Sequence, residues 1–184
     1  MKKVFIAGMI AVTLFSCSQP QKQQTQTAAP VDTAAAAAAA KTTEMKMLYE
    51  KNLGTLKQFI TAFENKDAAA RASLIADNVV WHSPAYGDMD SSGTHWKQMT
   101  QMFWDNFDSL KLKNAVFLPG VDQKTQMLDG SVRYYGEWSG IYKKNKKKAD
   151  WQFYGTYDFD KDGKVVNASQ YYDVGGLKNA VGMK

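Results

Sequence analysis

Asp173 is the residue of this sequence best suited by its neighbours to move a proton. It follows Tyr171 and Tyr172 and precedes Val174, and burial among such side chains raises a carboxyl pKa toward the range that suits proton abstraction next to a carbonyl. A plainer use competes with that one, as a cap for the segment Gly176 to Val181 or as the partner of a lysine. His82 ends the run Val79-Val80-Trp81-His82; an imidazole titrates near neutrality and serves as acid, base or hydrogen-bond donor, or as a half-buried group bonded to backbone. His82 or Tyr171 beside Asp173 can help to hold a developing oxyanion. Asp173, His82 and Tyr171 are therefore the candidate catalytic set, with Asp173 as general acid or base.

Aromatic residues give the second signal. Of 23 Phe, Trp and Tyr, only Phe5 and Phe15 fall in the first 43 residues. Trp81, Tyr86, Trp104, Tyr134, Trp138, Trp151 and Phe153 are more large rings than a small core needs as filler, and as a group they point to a pocket for a flat or hydrophobic ligand. Core packing is the competing use for any one of them. No metal or cofactor is expected. The spacing of His82, Asp88, Asp90 and His95 matches no helix-borne or ribbon ligand pattern. The run Asp158 to Gly163 opens like a calcium loop but has Ser169 at position 12, where a bidentate glutamate belongs.

The elements that must position these groups are helices first and strands after. Leu48, Leu56, Phe59, Ile60 and Phe63 recur at three- and four-residue spacing, which predicts a long helix between Glu44 and Asn65. Asp67 caps a shorter helix through Ile75, and Asp77-Asn78 break it before a short strand, Val79 to His82, which Ser83-Pro84 stop. Tyr86 to Gly93 is a polar loop. Trp96, Met99, Phe103, Phe107 and Leu110 predict a third helix from Thr94 to about Leu110. Strands are expected at about 111–118, 131–142, 148–159 and 164–174, the third with Trp151, Phe153, Tyr157 and Phe159 on one face. Turns fall in the lysine cluster at 143–148, expected to be a solvated hairpin tip, and at Asp162-Gly163. Helices ahead of an antiparallel meander define an α+β domain with helices on one face of a curved sheet.

The chain of 184 residues has 23 basic and 18 acidic side chains, a net charge of +5. Residues 44–184 hold 19 and 17 of them, and five of the 19 are the lysines of the 143–148 turn. No broad basic face remains, which excludes nucleic acid as a partner. Lys2-Lys3 precede an apolar run from Val4 to Phe15, 12 residues long, too short for a bilayer of ~30 Å and suited to a secretory signal. Leu14-Phe15-Ser16-Cys17 resembles the lipobox of bacterial lipoproteins. The resemblance implies cleavage of residues 1–16 and a lipidated Cys17, which gives stable anchoring to a membrane without spanning it. Ser18 after that cysteine implies the cell envelope and sorting to the outer membrane. Residues 17–43, rich in Gln, Thr and Ala and ending in Ala34 to Ala40, are then a disordered tether.

The order helix, helix, Val79-Val80-Trp81-His82-Ser83-Pro84, helix and four strands, with Asp162-Gly163-Lys164-Val165-Val166 and Gln170-Tyr171-Tyr172-Asp173-Val174-Gly175-Gly176-Leu177 at the end, resembles the NTF2-like superfamily and its SnoaL-like branch. The resemblance covers residues 44–184. It implies a cone, three N-terminal helices on a curved, mainly antiparallel sheet enclosing one pocket, in a family of cyclases, ketosteroid isomerases, dehydratases and noncatalytic binders. SnoaL-like cyclases close the last strand with a Glu-His-Trp-Asp-like run; here Gln170, Tyr171, Tyr172 and Asp173 stand there, so only the final acid matches. This favours binding of a small hydrophobic or aromatic molecule over a lyase or isomerase reaction through Asp173. Pairing of two copies through the open sheet face is a further expectation.

Overall fold

Leu56, Phe59, Ile60 and Phe63 do share one face of a helix, but the helix starts well before them. In the computed structural model, which describes residues 33–183, α1 (Thr33–Glu64) is 32 residues long. The tether expected to run to residue 43 thus gives way to helix at Thr33. Residues 33–44 are exposed throughout. Packing does not hold them; alanine has the best helix propensity, and extending an existing helix avoids the costly nucleation step that makes an isolated alanine run marginal. The signal segment 1–16, Cys17 and the front of the tether lie outside the described residues.

Asp67 caps α2 (Ala68–Ser73) by accepting a 2.9 Å hydrogen bond from the Ala70 N–H. The next strand, β1 (Ile75–His82), starts four residues ahead of Val79. Asp77 and Asn78 do not break it, because β1 pairs in parallel with the last strand and its register shifts between Ile75 and Val80, so a bulge takes up the polar pair. Ser92 caps α3 (Gly93–Asn106) with a 3.1 Å bond from the His95 N–H.

That third helix stops sooner than its apolar stripe suggests, since Phe107 to Leu110 open β2 (Phe107–Val121). Two lysines hold the helix end. Lys66 Nζ donates to the Trp104 carbonyl at 2.9 Å and the Phe107 carbonyl at 2.7 Å, and Lys143 Nζ donates to the Trp104 carbonyl at 2.9 Å. Cations at a helix C-terminus are favoured by the unpaired carbonyls there. Lys143 is therefore part of the fold and not of a freely solvated tip.

The remaining elements are β3 (Leu128–Tyr142), β4 (Lys148–Phe159), β5 (Val165–Tyr171) and α4 (Val174–Val181). The five strands lie in the order β1-β5-β4-β3-β2, antiparallel except for β1 against β5. Along β4 the buried positions Trp151, Phe153 and Tyr157 alternate with Asp150, Gln152 and Asp158, as a sheet covered on one face requires. The other face carries a cross-strand row. Val116 pairs with Tyr135, Tyr135 with Tyr154 and Tyr154 with Tyr171. The tyrosine rings stack at 4.7 and 5.7 Å.

Candidate functional site

The covered face of the sheet and the helices above it leave a cavity of about 60 Å³ between them. Tyr134 and Trp138 reach it from β3, Trp151, Phe153 and Tyr157 from β4, and Gln170 from β5. Phe59 and Phe63 come from α1, Trp96, Met99 and Phe103 from α3, and Trp81 from β1. The period of two along each strand is what aims these side chains together. Gly155 stands opposite Tyr134 in the β4–β3 register. A Cβ there would lie 2.8 Å from both the Phe153 and the Tyr157 rings, so only glycine lets those rings and Tyr134 stack.

One charged side chain sits among them. Arg71, from the last turn of α2, is 6% exposed and lines the cavity. Its Cζ lies 3.7 Å from the centroid of Phe59, 5.1 Å from Trp96 and 5.2 Å from Phe63. No carboxylate of the described residues forms an ion pair with it, and none lines the cavity. Burial pushes its pKa down to about 10, against a smaller upward pull from the Tyr157 and Tyr134 hydroxyls. Attraction between the guanidinium and the faces of the rings offsets part of the desolvation.

Other polar groups lining the cavity bond to one another. Trp138 Nε1–H donates to the Tyr134 hydroxyl at 3.2 Å, and the Gln170 amide donates to the Tyr157 hydroxyl at 3.2 Å. Burial raises the pKa of both phenols, Tyr134 strongly, so neither supplies an anion. Trp81, 2% exposed, has a buried Nε1–H with no acceptor. A buried donor left unpaired is uncommon and costs more than a missing surface bond.

Five of the seven residues expected to bind a ligand, Trp81, Tyr134, Trp138, Trp151 and Phe153, line this cavity. Trp104 does not. It is buried in the last turn of α3 outside the cavity lining, and its Nε1–H donates to the Phe63 carbonyl at 2.9 Å. Tyr86 stands fully exposed on the loop after β1.

The three candidate catalytic residues lie outside the lining of this cavity. Asp173 is exposed and caps α4, accepting a 2.7 Å bond from the Gly176 N–H. Its neighbours are apolar but do not enclose it, so the expected desolvation has no structural basis. His82 is exposed at the end of β1, where it pairs with Ser169. Tyr171, 55% exposed, points to the opposite face from Gln170 and joins the outer tyrosine row. Strand parity separates it from the cavity.

The sequence Ala68-Ala-Ala-Arg-Ala-Ser73 gives Arg71 no apolar stripe that would mark it as buried. A compositional signal was present nonetheless. Only two of the 23 basic residues are arginine: Arg71, and Arg133, which is half-buried on the opposite face of β3 from Tyr134, with Nη2 donating to the Pro119 carbonyl at 2.9 Å.

The comparisons agree with this architecture. Residues 56–168 match the family model of the SnoaL-like domain, and the chain belongs to that family. Its α+β fold, a curved mixed sheet with helices, is NTF2-like. A candidate polyketide cyclase from Xanthomonas campestris pv. campestris is similar with a TM-score of 0.59 at 17% identity, over 73% of this chain and 98% of the other. AclR, a candidate hydroxylase from Streptomyces galilaeus, gives 0.60 at 14% identity over 73% and 87%. An NTF2-like protein of unknown function from Burkholderia pseudomallei gives 0.57 at 14% identity over 71% and 97%. Among curated proteins none matches. At such identities the likeness speaks for fold alone.

Beside the cavity, the loop after β1 is fastened to α3 by a titrating pair. His95 Nε2 lies 2.7 Å from Asp88 Oδ2, and the His95 ring lies 5.5 Å from Trp81. The hydrogen bond to Asp88 raises the His95 pKa above its ordinary 6.5, helped by the charges of Asp88 and Asp90 and by Gln98. Hydrogen bonds from Ser83 and then His95 lower the Asp88 pKa below its ordinary 3.8. The stabilisation tied to His95 is complete below pH 6.5 and is lost as pH rises through the raised value; that tied to Asp88 is present above pH 3.8 and is lost as pH falls through the lowered one. The loop is thus held best between those limits. Titration of the imidazole by NMR should give a His95 pKa above 6.5 that moves down in Asp88→Asn; a wild-type value at or below 6.5 would show that the pair does not form.

Proposed function

We propose that this SnoaL-like domain binds a small apolar or aromatic molecule in the cavity between its helices and sheet. The observation that carries the reading is the wall itself: stacked rings with a few buried donors, and no carboxylate or imidazole to move a proton. At about 60 Å³ the free space is less than half of the ~150 Å³ that admits benzene in an engineered apolar cavity. A ligand therefore seats one compact group deep inside, and its remainder displaces side chains or projects outward. Met99, Phe103 and Tyr172 are shared with a second small cavity walled by Val174 and Leu177 of α4, which gives it room to extend.

The lyase or isomerase reading, of cyclase, ketosteroid-isomerase or dehydratase type, stands second because it needs a proton-transfer group inside. Asp173 as a cap does not supply one. Binding is tested by thermal denaturation of the full-length chain with neutral aromatic probes such as 1-naphthamide. At a hundredfold excess over Kd a ligand stabilises the native state by about 2.7 kcal/mol, which raises the midpoint by several degrees. Met99→Trp should weaken binding at least tenfold by filling the space, whereas Asp173→Asn, which still caps, should leave it unchanged. No shift with any probe, or a shift insensitive to Met99→Trp, would defeat the reading.

We further propose that the chain works on the envelope as a lipoprotein held by Cys17, on the strength of Lys2-Lys3, the apolar run and the lipobox-like tetrad. Cys17→Ala should move it from the membrane fraction to the soluble fraction; unchanged fractionation would remove the anchor. Pairing of two copies through the outer row is supported by the exposure of Val116, Tyr135 and Tyr171. Tyr135→Lys should then convert a dimer to a monomer in light scattering, and a monomeric wild-type chain would refute pairing.

A further inference from the structure

A cavity that holds a buried cation and an unpaired indole N–H but no anion is electrostatically incomplete, and the missing partner identifies the class of ligand. Arg71 lies inside it, over Phe59, without a carboxylate partner or a guanidinium hydrogen bond among the described residues. Trp81 lines the same cavity with its Nε1–H unsatisfied. The Tyr134 and Tyr157 hydroxyls each already accept a bond from Trp138 or Gln170. An uncompensated cation in an apolar site is costly, and a fixed counter-ion is the usual remedy. Among the described residues none is supplied.

We propose that the ligand is an organic carboxylate: an apolar or aromatic body whose single carboxylate pairs with Arg71 and accepts from Trp81 Nε1–H. This rests on the reading of the cavity as a ligand site and narrows it to one chemistry. Charge balance selects a monoanion over a phosphate dianion, because one guanidinium faces it. Geometry points the same way, since a planar carboxylate meets the guanidinium fork through two parallel hydrogen bonds. The body of the molecule then lies against Trp96, Phe103 and Phe153, in reach of the second cavity through Met99 and Tyr172. The competing account makes Arg71 a plug that packs on Phe59 and Trp96 and reads no charge.

Two isosteric pairs separate these accounts in the full-length protein: benzoate against benzamide, and 1-naphthoate against 1-naphthamide, titrated by calorimetry at pH 7. A carboxylate site should bind each acid at least about tenfold more tightly than its amide, as expected for charge-assisted hydrogen bonds in a dry site. In Arg71→Met the preference should vanish while amide binding persists. Equal binding of acid and amide to the wild-type chain would overturn the carboxylate assignment and leave the binding site standing. If none of the four probes bound, the ligand site itself would fall, and this inference with it. The wild-type comparison decides the point even if Arg71→Met does not fold.

Discussion

A guanidinium held over the face of Phe59, with no acid beside it, is the constraint around which this domain is arranged. Three helices must converge to create the contact: α1 supplies Phe59 and Phe63, α2 supplies Arg71, and α3 supplies Trp96. Stripped of water, a cation loses several kcal/mol of hydration even after the protein relaxes. Ring faces return a part of that, up to about 2 kcal/mol for a desolvated contact. Arginine suits the position where lysine would not. Its charge is delocalised and weakly hydrated, and even with its pKa lowered to about 10 it keeps its proton at neutral pH.

The sheet beneath was legible in outline because one of its faces is covered. Alternation from Trp151 to Tyr157 assigned β4 its inner and outer residues, and the same parity brought Tyr134 and Trp138 to the cavity. From fully buried Ala168, the inward position two residues on is Gln170, so Tyr171 must face outward. Its hydroxyl, although next but one to Asp173 in sequence, is thereby kept out of the cavity. Past Tyr171 the strand has ended, and Tyr172 turns back toward the cavity, which no alternation could foretell.

Boundaries were harder to see wherever two structures would bury the same residues. Phe107 and Leu110 continue the stripe of α3 at helical spacing, yet each is equally buried at the start of β2. The choice is settled from outside the segment, by Lys66 and Lys143 on the carbonyls of Trp104 and Phe107. At the other end, the exposed first turns of α1 follow from alanine propensity added to an existing helix. Arg71 was hidden for a related reason. A helix of six residues is too short to show a periodic face, and only the scarcity of arginine among the basic residues set it apart.

Asp173 and Arg71 together fix the electrostatic sign of the interior. The aspartate stays outside as the cap of α4, and that helix contributes Val174 and Leu177 to the wall of the adjoining small cavity. Gln170, at the position where the family run has an acid, lines the main cavity as a neutral amide and donates to Tyr157. A carboxylate at position 170 would put an anion into the same cavity as Arg71. With Gln170 neutral and Asp173 directed at a helix N-terminus, no described side chain of the cavity neutralises the guanidinium. Among the described residues that line it there is no carboxylate or imidazole; its phenols are driven further from ionisation by burial, and its remaining neutral polar groups are amide, hydroxyl and indole.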